Sequence, residues 1–147
     1  MADLQDLYQS IILDHNRRPK NYGPLEGATS SAEGRNPLCG DEVKVELLVG
    51  ENGIQDVRFT SSGCAVSRAS ASIMTQAVKG KSREEVERMF TKFHELVTGK
   101  LKPEPSEARA MGEMAAFSGV SQFPIRVKCA SMPWHTLRKA LDVTSST

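Results

Sequence analysis

The stretch Asp41-Glu42-Val43-Lys44-Val45-Glu46-Leu47-Leu48-Val49-Gly50-Glu51-Asn52-Gly53-Ile54-Gln55-Asp56-Val57-Arg58-Phe59-Thr60 decides the fold. Val43, Val45, Leu47 and Val49 alternate with Glu42, Lys44, Glu46 and Leu48, the period of a half-buried strand. Glu51-Asn52-Gly53 supplies a tight turn, because Asn and Gly tolerate the positive φ that hairpin turns require. Ile54 to Thr60 then returns with Val57 and Phe59 on a common face. The expectation is an antiparallel hairpin with one apolar face.

On the C-terminal side, Ser61-Ser62-Gly63-Cys64 reads as a short connection or a third strand. From Ala65 the period changes to that of a helix, with Ala69, Ile73, Met74, Ala77 and Val78 as its buried stripe and Gly80 as its stop. Ser82 followed by Glu85 is a capping box. It opens a helix with Val86, Met89, Phe90, Phe93, Leu96 and Val97 inward. Gly99 to Ser106, with Pro103 and Pro105, reads as a loop. Ser106 is expected to cap a helix bearing Ala108, Met111, Met114 and Ala115 and ending near Gly119. Pro124 to Ala130 reads as short and extended or irregular. A last helix is expected from Ser131, with Pro133 in its first turn and Leu137, Ala140 and Leu141 inward. The tail, residues 144–147, is expected to fray.

On the N-terminal side, a helix is expected from Leu4 to His15. Asp3 would cap it, and Leu4, Leu7, Tyr8, Ile11 and Ile12 would share a face. Residues 19–40 hold Pro19, Gly23, Pro24, Gly27, Gly34, Pro37 and Gly40 and read as a long irregular arm. Strands grouped ahead of helices indicate an α+β domain spanning residues 1–147, with a small antiparallel sheet of about three strands packed against several helices.

Bulk composition narrows the function. A chain of 147 residues buries roughly 68–70% of its unfolded surface, so it needs no metal or disulfide merely to hold a core. Its 19 basic and 18 acidic residues leave a formal net charge of +1, without the clustered basic excess of a nucleic-acid binder. No apolar run approaches the roughly 20 residues that span a bilayer. The acidic N-terminus lacks the order of a secretory signal, so the expected compartment is the cytoplasm.

Three cysteines in a reducing compartment are expected as thiols. Each falls at a junction: Cys39 before the first strand, Cys64 where sheet gives way to helix, and Cys129 just before the last helix. Helix starts and nearby cations favour thiolates; Arg68 follows Cys64 by one turn, and Arg126 and Lys128 precede Cys129. Asp41 adds a carboxylate two residues from Cys39, with Gly40 between them. Zinc takes four donors of this kind. Spacing alone does not bring Cys64 and Cys129 beside Cys39, and at this level inert burial, ligation and catalysis all stay open. His15 reads as a capping or partner-contact residue, and His94 as a solvated one. His135, six residues beyond Cys129, admits a ligand role.

Asn36-Pro37-Leu38-Cys39-Gly40-Asp41, Ser62-Gly63-Cys64-Ala65 and Val127-Lys128-Cys129-Ala130-Ser131 resemble the three cysteine motifs of the IscU/NifU family of iron–sulfur cluster assembly proteins. Leu7-Tyr8, Ile12-Leu13-Asp14-His15 and Pro19-Lys20-Asn21 resemble its N-terminal helix and arm. Typical IscU scaffolds have His before the third cysteine, where this chain has Lys128. It also carries additional sequence, roughly Gly99 to Gly119. Both features are similar to the SufU branch. The resemblance implies a SufE/IscU-like fold and a zinc ion on Cys39, Asp41, Cys64 and Cys129. It also implies a cysteine desulfurase partner of the SufS kind that supplies persulfide sulfur, with downstream iron–sulfur assembly proteins receiving it. Cys39 would be the sulfur acceptor, freed by ligand exchange, with Arg126 and Lys128 as auxiliary cations. The alternatives are a scaffold on which a [2Fe–2S] or [4Fe–4S] cluster forms transiently, and a non-enzymatic interaction module with a structural zinc.

Overall fold

The computed structural model describes residues 4–37 and 40–145. The proposed helix cap Asp3, Leu38, Cys39 and residues 146–147 lie outside the described residues. The order is α1 (Leu4–Arg17), β1 (Ser30–Asn36), β2 (Asp41–Gly50), β3 (Gly53–Ser62), α2 (Ala65–Val78), α3 (Arg83–Thr98), α4 (Pro105–Met111), two short 3-10 helices (Gly112–Phe117 and Val120–Gln122) and α5 (Pro124–Ser145). This is an α+β fold with a three-stranded antiparallel sheet in the order β1-β2-β3.

β2 and β3 form the expected hairpin, and Val43, Val45, Leu47, Val57 and Phe59 are almost wholly buried. The third strand is a correction. It is not the segment after Thr60, which merely completes β3, but Ser30–Asn36, inside the stretch read as an irregular arm. Its inward residues are Ser30, Ala32, Gly34 and Asn36, too small or polar to produce an apolar alternation. They are small because α5 lies against them: a Cβ on Gly34 would overlap Thr136 Oγ1 and lie 3.4 Å from Met132 Cγ. The rest of the arm runs along the other edge of the sheet. Asn21 and Gly23 exchange backbone hydrogen bonds with Phe59, and Tyr22 meets Phe59 edge-on at 5.2 Å.

The second correction concerns α5. It begins at Pro124, so Cys129 lies inside the helix and Pro133 in its interior. Pro124 supplies the φ of a first helical residue. Pro133 has no N–H to offer the carbonyl of Cys129, four residues earlier, and the Ser70 hydroxyl donates to the adjacent Ala130 carbonyl at 2.6 Å. The Ser82–Glu85 capping box is present in both directions, and Gly99 ends α3 in the left-handed conformation. α4 starts at Pro105, with Glu104 rather than Ser106 at its cap position, and breaks at Gly112 into 3-10 turns.

Helices α2 and α5 cover the sheet, and α3 packs against α5. Phe93 stacks on Trp134 at 4.7 Å and meets Phe117 at 5.4 Å. Among the described side chains of α1 the deepest is His15, while Leu7 is exposed. His15 is neither a cap nor a surface contact: its ring nitrogens meet Ser72 Oγ at 2.6 Å and Glu113 Oε2 at 3.0 Å. Among the described residues no helix is long and apolar enough to cross a membrane.

Candidate metal centre

The hairpin places the first donor. Glu42 pairs with Ser62, so the residue before one and the residue after the other, Asp41 and Gly63, meet at the open end. Gly63 has φ +132°, and a Cβ there would overlap Asp41 Oδ1 and lie 2.7 Å from Asp41 Cα. Only glycine allows this approach while turning the chain from strand into α2.

Cys64 is the N-cap of α2. Its backbone N–H donates to Asp41 Oδ1 at 2.6 Å, its Sγ lies 3.4 Å from Asp41 Oδ2, and it accepts from the Ser67 N–H at 3.5 Å. Cys129 arrives from α5, 2% exposed, and the Asn36 amide donates to its Sγ at 3.9 Å. The ligand atoms of Asp41, Cys64 and Cys129 all lie within 4.8 Å of one another.

Cys39 lies outside the described residues, but the residues on either side of its loop do not. Asn36 ends β1 and pairs with Asp41, the first residue of β2, so the segment carrying Cys39 joins two residues of the centre. His15, His94 and His135 do not join the group that holds Asp41, Cys64 and Cys129. His94 is partly buried rather than solvated; its ring stacks parallel to Phe90, with centroids 6.2 Å apart. Arg126 lies over the Phe123 ring at 4.8 Å, and Lys128 is exposed. Asn36 was not singled out from the sequence, although it stands in the first cysteine motif. An Asn three residues before a cysteine at a strand end was the available signal.

The donor set fits a cation by its chemistry. Asp41 is 1% exposed, and among the described residues no Lys, Arg or His lies within ion-pair distance of it. A buried carboxylate without a compensating charge is costly. Two thiols in the same cluster add further acidic donors, and a tetrahedral zinc with Zn–S bonds of about 2.3 Å holds its sulfurs about 3.8 Å apart. The present separations, none above 4.8 Å, are of that order.

Residues 7–130 match the family model of the NifU-like N-terminal domain. The chain is 37% identical over 141 residues to the iron–sulfur cluster assembly scaffold protein IscU of Streptococcus pyogenes, covering 96% of this chain and 86% of that protein. It is also 37% identical over 140 residues to the zinc-dependent sulfurtransferase SufU of Bacillus subtilis, covering 95% and 92%. A crystal structure from Fervidobacterium islandicum, described as a candidate iron–sulfur cluster assembly scaffold for the SUF system, superposes with a TM-score of 0.82 at 34% identity, covering 95% of this chain and 99% of that one. With the fold, the three motifs and these relatives in agreement, the chain belongs to the NifU-like N-terminal domain family, the family of the IscU and SufU proteins.

Proposed function

We propose that this chain is a zinc-dependent sulfur acceptor that takes persulfide sulfur from a cysteine desulfurase for iron–sulfur cluster assembly. The observation carrying this reading is the mixed donor set: a buried, unpaired carboxylate, Asp41, beside Cys64 and Cys129. Stable iron–sulfur clusters are normally held by four thiolates, whereas zinc accepts carboxylate and thiolate together. Lys128 supports the same reading, since it occupies the position where typical IscU scaffolds have His.

Asp41, Cys64, Cys129 and Cys39 would hold the metal, which when bound keeps the thiols deprotonated at neutral pH. Each of the chain's own residues has a defined task. Asp41 fixes the Cys64 backbone through its Oδ1, Asn36 orients Cys129, Gly63 leaves room for Asp41, and Gly40 takes a left-handed φ of +68°. Cys39 is the acceptor, in the short connection between Asn36 and Asp41. Its thiolate attacks the outer sulfur of the donor persulfide R–S–SH. A sulfur–sulfur bond forms to Cys39 as the donor's own breaks, R–S⁻ leaves, and the transferred sulfur keeps its proton, with no net oxidation. Arg126 and Lys128, near Cys129 in sequence, would complement the anionic sulfur as auxiliary cations.

Desulfurase turnover, measured with and without this protein alongside its zinc and iron content, tests the proposal. Stimulated turnover with about one zinc per chain, abolished in Cys39→Ala, supports it; normal persulfide uptake by Cys39→Ala defeats the acceptor assignment. The second reading, a transient cluster scaffold, is favoured by the scaffold names of the Streptococcus pyogenes protein and of a Thermotoga maritima relative, IscU, 33% identical over 139 residues. Unstimulated turnover, with visible absorbance after reconstitution with iron and sulfide, would favour it.

A further inference from the structure

The two edges of the sheet are treated differently. The β3 edge is covered by Asn21–Gly23. β1 pairs only with β2 among the described residues, which makes it an edge strand that another extended chain can join. Alongside that edge runs a groove of about 590 Å³, lined by Glu33 to Asn36 of β1, His94 of α3, and α5 from Val127 to Lys139. Four consecutive residues of β1 line it. A groove over one face of the strand would show alternate ones.

The α5 wall has a pattern of its own. Lys128, Met132, His135 and Lys139 follow at spacings of four, three and four residues, which puts them on one side of the helix. Lys128 and Lys139 mark the two ends, about 16 Å apart at 1.5 Å per residue. Neither is in an ion pair among the described residues. Arg35 adds a third cation, paired at 3.5 Å with the exposed Glu42; Glu33 is the one acid in the lining.

Beneath the groove lie two buried polar atoms without partners among the described residues. Ser131 is 8% exposed, and its Oγ has no hydrogen-bond partner among the described residues; His94 Nδ1 is likewise buried and unpartnered. Buried polar groups are ordinarily satisfied, and each that is not costs of the order of 1–3 kcal/mol. Both residues belong to the groove's lining, with these atoms turned beneath its surface.

We infer that this groove is a docking site for an extended, acidic segment of a partner protein, laid along the free edge of β1. A span of about 16 Å takes roughly five residues of extended chain at about 3.3 Å each. Carboxylates at its ends meet Lys128 and Lys139, and its backbone pairs with β1. Strand addition of this kind draws affinity from the main chain and specificity from alternate side chains. The Lys128 end adjoins the metal centre through Asn36, which both lines the groove and donates to Cys129. A partner held here has its neighbouring residues beside the centre. The docking site goes beyond the sulfur-transfer reading and stands or falls separately from it.

The test is a titration of the ¹⁵N-labelled full chain, as purified, with a capped Glu-Val-Glu-Val-Glu peptide, followed by amide shifts. Support is a saturable set of shifts confined to Glu33–Asn36 and the Lys128–Lys139 face. Binding should weaken at least about tenfold in the double variant Arg35→Glu, Lys139→Glu, and fall with added salt. Both substituted side chains are exposed, and an unchanged amide spectrum of the unbound variant confirms its fold. Equal binding of the Gln-Val-Gln-Val-Gln peptide, shifts spread over other basic surfaces, or no saturation by ~1 mM would overturn the inference. Equal occupancy by free glutamate would also overturn it, showing a small-carboxylate site in place of a docking groove.

Discussion

Asp41 is the residue on which the centre turns, because it holds the Cys64 backbone and adds a negative charge to an interior with no described cation beside it. Those two tasks separate in Asp41→Asn, which keeps an oxygen to accept the Cys64 N–H and loses the charge. In metal-free protein the substitution should be neutral or stabilising, by up to about 1–3 kcal/mol; in metal-loaded protein it should lower affinity by at least about tenfold. Thermal melts with and without chelator, together with a competition titration, check the opposite signs. The meeting of Asp41 with the Gly63–Cys64 corner was partly legible in the sequence. Placing Gly50 opposite Gly53 across the Asn52-Gly53 turn and counting back along the hairpin sets Asp41 opposite Ser62. A bulge between Leu48 and Val49 shifts the register by one, to Gly63. Cys129 was not legible in this way, since no local rule ties residue 129 to a hairpin that ends at residue 62.

At the scale of elements, sequence reading succeeded where burial imposes a period and failed where small residues do the packing. β2, β3, α2 and α3 carry apolar stripes or caps that state their own identity. β1 does not, because α5 lies so close that Gly34 has no room for a side chain. Gly34→Ala should therefore destabilise the fold by about 1–3 kcal/mol by pushing Thr136 off the Met132 carbonyl, to which its hydroxyl donates at 2.8 Å. A urea unfolding curve checks it, and an unchanged midpoint would mean that β1 and α5 are less tightly apposed. α5 was misjudged at its start because Pro124 read as opening an extended or irregular stretch and Pro133 as a first-turn residue, yet Pro124 occupies the first helical position and Pro133 is carried within the helix. The same helix holds His135, whose pKa lies below its ordinary value through burial, aided by His94 and Arg138. A histidine shifted this way binds fewer protons folded than unfolded, so it lowers stability as pH falls below about 6.5 and does nothing above. Melts of His135→Gln should accordingly lose less between pH 7 and pH 5 than those of the parent chain.

Across the whole molecule, the core and the centre are distinct. The aromatic cluster of Phe93, Phe117 and Trp134 and the apolar face of the sheet supply the burial that holds the fold, while Asp41 and Cys64 gather where the sheet meets α2 and Cys129 joins them from within α5. A metal here stabilises by binding the folded form without being needed to form it. Chelation should lower the melting temperature while leaving far-UV circular dichroism at 25 °C unchanged. Loss of the helical signal on chelation would make the metal a structural staple and favour the interaction-module reading. The arrangement itself is tested most directly by X-ray absorption at the zinc edge of the as-purified protein. The account predicts a four-coordinate shell with three sulfurs at about 2.3 Å and one oxygen at about 2.0 Å, from Cys39, Cys64, Cys129 and Asp41. A shell of oxygen and nitrogen alone, or one unchanged in Cys129→Ser, would contradict it.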